Sequence, residues 1–151
     1  TDAEKKAVGL VWEDDPAPYD NRFYYSASNP KELNDANAVD EDGNPIRDKD
    51  GNQLVNLGLK STWKNKTKRT AGTLLQATDW YVVRKSETNT AIPSDVPTYR
   101  AAVRTKSGTI ETAIDNAADH AAFVALFDVP TDSDGKPTGN APIHDWPDPL
   151  D

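Results

Sequence analysis

Apolar residues keep a helical spacing over the middle of this chain and lose it at both ends. Leu59, Trp63, Thr67, Thr70, Leu74 and Ala77 recur every three or four residues, which places them on one face of a helix. Lys60, Lys64, Lys66, Lys68 and Arg69 fall largely off that face. Thr78-Asp79 can cap a second, shorter helix running from Trp80 to about Glu87. Ala91-Ile92-Pro93 is a connector, and Ser94 is a favourable N-cap for a long helix ending near Asn116. The long helix carries Val96, Tyr99, Val103, Lys106, Ile110, Ala113 and Ala117 on its stripe. Lys106 interrupts that stripe, and Gly108 weakens the helix by about 1 kcal/mol relative to Ala. Asp119 can cap a last helix, His120 to Phe127, whose apolar composition predicts burial. The predicted core side chains are Leu59, Trp63, Leu74, Leu75, Trp80, Val83, Tyr99, Val103, Ile110, Ile114 and Phe123.

The flanks read differently. Thr1 to Val8 predicts one or two helical turns stopped by Gly9. Leu10-Val11-Trp12 and Arg22-Phe23-Tyr24-Tyr25 are strand-type runs separated by Pro16 and Pro18. Asn29-Pro30-Lys31-Glu32-Leu33 predicts a cap, a Pro at the first helical position and a short turn. Asp40-Glu41-Asp42-Gly43-Asn44 returns eight residues later as Asp48-Lys49-Asp50-Gly51-Asn52. Asp132-Ser133-Asp134-Gly135 is a third turn of this kind, in a tail expected to be extended and pinned by Ile143 and Trp146. The predicted fold is α+β, mainly α. A helical core of three to four helices over residues 57–127 lies between an acidic strand-and-loop arm, 1–56, and an acidic Pro-rich tail, 128–151. The whole is expected to form one compact unit.

Composition sharpens this division. Leu, Ile, Val and Phe make up 27 of 151 residues, a fraction low enough that only part of the chain can bury a core. The net charge of −8 is unevenly spread. Residues 1–56 hold 6 basic and 13 acidic side chains, residues 57–116 hold 10 and 5, and residues 117–151 hold 1 and 7. A basic middle therefore sits between acidic ends. The absence of cysteine removes disulfides, thiolate metal sites and thiol catalysis. No apolar run is long enough for a transmembrane helix, so no membrane partner is expected.

Candidate chemistry is sparse. The Asp-rich turns invite a calcium reading. Aligning Gly43, Gly51 or Gly135 with the loop glycine of an EF-hand puts Ala38, Ile46 or Pro130 first and Lys49, Leu57 or Ala141 last. Each alignment fails at both ends, so turn chemistry is preferred and no metal is expected. His120 lies in an apolar helix and His144 in the tail, too far apart in the chain and too few for a zinc site. No nucleophile elbow, phosphate loop or dinucleotide fingerprint occurs. The chain is read as non-enzymatic and without cofactors. The basic positions 60–69 allow a small nucleic-acid or phosphate-binding module as an alternative, disfavoured by the net charge and the lack of interleaved aromatics.

One stretch carries more than composition. Leu57-Gly58-Leu59-Lys60, Leu74-Leu75-Gln76-Ala77-Thr78-Asp79-Trp80, Ala91-Ile92-Pro93, Tyr99-Arg100-Ala101-Ala102-Val103-Arg104 and a late Trp146-Pro147 occur in that order. This order resembles small tail assembly chaperones, or tail-fibre-assembly-like proteins, of tailed bacteriophages, most clearly over residues 57–104. The resemblance implies a helical packing signature in which Trp80 wedges between helices and Tyr99 aligns with it. It also implies a virion structural protein of the tail, tail fibre or baseplate region, made in the host cytoplasm. Its expected partners are other tail proteins and further copies of itself. An assembly chaperone that leaves the particle is the alternative. Partner contacts are expected at Phe23, Tyr24, Tyr25, Arg100, Arg104 and Trp146.

Overall fold

The computed structural model describes residues 2–9 and 17–150. Two long helices form the centre. α2 spans Leu59–Gln76 and α4 spans Asp95–Asn116, with α3, Asp79–Thr88, between them in sequence. α2 packs on α4 more extensively than any other pair of described elements. α5 covers His120–Ala125, and a 3₁₀ turn covers Pro142–His144. α1, Asp2–Ala7, precedes these, and the described residues also form four very short strands: β1 Tyr24–Ser26, β2 Asn29–Pro30, β3 Ala36–Asn37 and β4 Val55–Asn56. They pair antiparallel as β1–β2 and β3–β4. The result is a small, mainly helical α+β fold. No described helix is long and apolar enough to cross a membrane.

The chain divides into two compact units, Thr1–Lys31 and Glu32–Asp151. The break falls at residue 31, not 56, because residues 32–35 belong to the start of α2. An α-helix leaves its first N–H groups without partners inside the helix. Here Leu59 N donates to Glu32 O at 2.9 Å, and Lys60 N donates to Leu33 O at 3.1 Å. Gly58 N and Ser61 Oγ both donate to the Asp35 carboxylate, at 2.8 Å each. The preceding backbone thus does the capping, without a side-chain cap from Gly58 itself.

In the first unit, α1 ends at Ala7, and Gly9, with φ of +80°, closes the turn that follows it. The expected strand Leu10-Val11-Trp12 lies outside the described residues. Asn29-Pro30 forms β2, not a helix start, with Pro30 opposite Tyr24. Lys31 N then donates to Phe23 O at 2.8 Å, which holds the hairpin closed past the proline.

The helical stripes are close to those expected, with informative shifts. On α2 the buried residues are Leu59, Thr67 and Ala71. Thr70 is exposed, and Trp63, Leu74 and Leu75 are half-buried. Thr67 tolerates burial because its hydroxyl donates to Trp63 O at 2.9 Å. On α4 the buried set is Val96, Tyr99, Val103, Ser107, Ile110 and Ile114. Ser107 takes the inward position, its Oγ donating to Glu111 Oε1 at 3.1 Å. Lys106 turns outward and pairs with Asp145. α5 is shorter than expected, and Phe123 is its only fully buried residue. Asp119 caps it as expected, accepting from Ala122 N at 2.8 Å. The Phe127 ring joins this helix to α2 through an edge-on contact with Trp63, centroids 4.6 Å apart.

Two expected core residues are on the surface. Trp80 is 51% exposed and Val83 is 53% exposed. α3 buries no residue. Trp80 does not wedge between helices; it lies against its neighbour Tyr81, with ring centroids 3.8 Å apart. Trp80→Ala is therefore expected to cost less than about 1 kcal/mol, well short of a core aromatic deletion. Chemical denaturation measures it, and a loss of 3 kcal/mol would show that the ring is packed in solution.

Candidate functional site

The repeated Asp turns build a distinct module between β3 and β4. In each of two five-residue loops the first Asp folds its carboxylate back on the loop. Asp40 Oδ1 accepts from Asp42 N at 3.0 Å and Asn44 N at 2.8 Å. Asp48 Oδ1 accepts from Asp50 N and Asn52 N, both at 2.9 Å. The Asn44 and Asn52 amides donate to the second carboxylate oxygens. Gly43 and Gly51 take φ of +82° and +86°, the left-handed conformation that closes such a hairpin. Asp132, with Gly135 at +78°, repeats the arrangement in the tail. The period of eight has a structural meaning. Ile46 N donates to Ala38 O, Leu54 N to Ile46 O and Ala38 N to Leu54 O, a closed ring of three bonds of 2.8–2.9 Å. The Gln53 side-chain amide sits over that ring. Its Nε2 faces Ala38 O at 2.7 Å, Ile46 O at 3.1 Å and Leu54 O at 2.8 Å. Three hairpin arms thus leave one junction, two of them ending in the Asp loops and the third made by β3 and β4.

These bonds also explain the acid behaviour of the loops. Asp40 and Asp48 are held below the ordinary carboxyl value, chiefly by the backbone N–H and then the side-chain amide of Asn44 and Asn52 respectively. A depressed folded-state pKa contributes stability above the unfolded pKa, and that stability is lost as pH falls through the folded value. Both loops are expected to keep their amide protection at neutral pH and to lose it only as pH falls through their depressed carboxyl values, below the ordinary 3.8. Carboxyl NMR titration should place both midpoints below 3.8; a midpoint at or above that value contradicts the bonding described.

Two lysines of α2, Lys64 and Lys68, meet the chain's own acids. Lys64 Nζ meets Asp115 Oδ1 at 2.9 Å, and its pKa is raised by that bond. Lys60 Nζ donates to the Asp115 backbone carbonyl at 3.0 Å. Lys68 pairs with Glu111 at 3.6 Å. Lys66 lies 3.9 Å from the Trp63 ring centroid. The Lys60, Lys64 and Lys68 contacts join α2 to α4, while Lys66, Lys68 and Arg69 remain exposed.

The expected partner-contacting residues separate into two sets. Phe23 is 1% exposed, so its ring offers no surface. Arg100 is also internal. Its Nη1 donates to Leu75 O at 2.9 Å, Thr78 Oγ1 at 2.7 Å and Asp79 Oδ1 at 2.8 Å. It braces the α2–α3 corner from α4: Leu75 O already accepts from Thr78 N and Thr78 Oγ1, and Arg100 adds a further bond to it while also donating to the Thr78 hydroxyl and the Asp79 carboxylate. Trp146 is half-buried against Ala71, Tyr99 and Val103 of its own chain. Tyr24 is half-buried, whereas Tyr25 and Arg104 are exposed. The Tyr25 ring has Lys31 Nζ 5.5 Å from its centroid.

Two apolar surfaces were not expected. α3 presents Trp80, Val82 and Val83, with Arg84 stacked 4.7 Å from the Trp80 centroid. The hairpin module presents Val39, Ile46, Leu54, Val55 and Leu57, each 39–56% exposed. In the sequence these residues are indistinguishable from core positions, since only their neighbours decide burial. No family model, curated protein or solved structure matches this chain.

Proposed function

We propose that this chain is a non-enzymatic structural protein of a bacteriophage tail, tail fibre or baseplate region that docks on neighbouring subunits through its turn-rich arms and its exposed helix. The observation that carries this reading is the placement of large apolar side chains on α3 and on the hairpin module while a separate core is buried between α2, α4 and α5. Large exposed apolar side chains grouped on one element in this way suit protein–protein contacts. The resemblance over residues 57–104 supplies the setting. The Asp loops suit a rigid docking arm, since each is closed by its own hydrogen bonds before any partner arrives. Mass spectrometry of purified particles tests the proposal: the chain should be present at a fixed ratio to other tail proteins. Absence from particles, with co-purification from infected cells, would favour the assembly chaperone instead.

A further inference from the structure

The last described residues are seated in a groove of the helical core. Trp146 and Leu150 pack against Ala71, Tyr99 and Val103, joined by Leu74 and Leu75. Pro149 and Leu150 line a concavity with Thr73, Ala77 and Tyr81. At its approach Asp145 pairs with Lys106, which explains why a lysine occupies that position on α4. Among the described residues, the backbone bond tying this segment to the helical elements is Ile143 N to Leu126 O, at 3.1 Å. Beyond it the hold is by side chains, so the fit is to a sequence and not to a generic strand. Pro147 and Pro149 restrict the segment before it docks, which lowers the entropy lost on docking. Directly behind it Ala141 and Ile143 are buried as well, so residues 141–150 move as one element, and the tether behind that element is unpacked: every residue from 128 to 140 is exposed.

We infer that the groove between α2, α3 and α4 is a docking site for a Trp-Pro-Asp-Pro-Leu segment, filled here by the chain's own residues 146–150 and filled in a crowded assembly by the same segment of a second copy. The occupant is argued from the groove itself, since the segment seated there is present identically on every copy. Exchange of one identical element between copies retains each contact and needs only a tether that is not packed down. In cis the tether supplies an effective concentration on the order of millimolar, so dilute protein stays self-filled and crowded copies exchange. This identifies a partner for the docking arm proposed above and rests on that reading only for the crowded setting. The test uses purified chain, so its failure and the chain's absence from particles are separate results.

The full chain carrying Trp146→Ala and Leu150→Ala opens the groove. A labelled peptide of residues 143–150 is titrated into it by fluorescence anisotropy. The peptide is expected to bind this variant at least about tenfold more tightly than the intact chain, whose own segment competes. The same peptide with both substitutions should not bind. A folded double variant that ignores the peptide, or equal binding to variant and intact chain, overturns the inference. Should the double variant lose its helical signal, Asp145→Ala in the chain loosens its own segment while Lys106 and the peptide's Asp145 stay intact, and this variant should bind the peptide several-fold more tightly than the intact chain; equal binding again overturns it. Sedimentation velocity reads the second copy. The intact chain should form dimers as its concentration approaches millimolar, and excess peptide should dissolve them. Monomers throughout, or dimers untouched by the peptide, would overturn exchange.

Discussion

Replacing Phe123 with Ala is expected to lower the unfolding free energy by about 3–5 kcal/mol. Phe123 is fully buried, and its ring lies 5.7 Å from that of Phe127, centroid to centroid. Phe127 in turn reaches Trp63 on α2 and His144 of the 3₁₀ turn. Deleting the ring therefore removes a large buried surface and undercuts the aromatic group joining α2, α5 and the tail. Urea denaturation followed by circular dichroism gives the loss directly. A change below 1 kcal/mol would mean that α5 is not part of the cooperative core.

Gly58→Ala is expected to destabilise by about 1–3 kcal/mol, the range for an atom forced into packed surroundings, and by more if the backbone cannot yield. Glycine is not required there by conformation, since φ is −75° and ψ is 176°. It is required by approach. A Cβ at this position would lie 2.4 Å from Asn34 C, 2.5 Å from Asn34 O and 2.7 Å from Leu33 O. All three are backbone atoms, and they are held in place by the bonds that cap α2. Relief would separate residues 32–35 from the helix and leave its first N–H groups unpaired. Thermal unfolding should show the loss, and hydrogen exchange should show it concentrated at Leu59 and Lys60. A variant as stable as the parent, with protection unchanged there, would contradict the close approach.

These two positions mark what could and could not be read in advance. Phe123 was legible because an apolar helix behind an Asp cap has few alternatives to burial. Gly58 was not, because nothing in its local sequence reveals that residues 32–35 return to cross it. The same distinction explains Trp80 and Val83. Their residue types favour a core, yet α3 packs mainly against α2 and leaves both outside. Ser107, and not Lys106, takes the buried place on α4, since a serine can satisfy its hydroxyl on Glu111 whereas Lys106 pairs with a distant acid, Asp145. Arg100 was identified as important from its place in a helical signature, but its role is internal. The acceptors it satisfies lie 21 to 25 residues earlier in the chain.

The local sequence determined the helices of the middle block, the Asp-Gly turns and the division of charge. Each depends on contacts a few residues apart: helical spacing, capping at Asp119, and carboxylates closing on their own loops. Tertiary structure alone decided which apolar residues stay outside, why a repeat of eight closes into a ring under Gln53, and where the Trp-Pro segment goes. Those outcomes depend on which surfaces meet across tens of residues, and the residue type at one position carries no record of its distant neighbours.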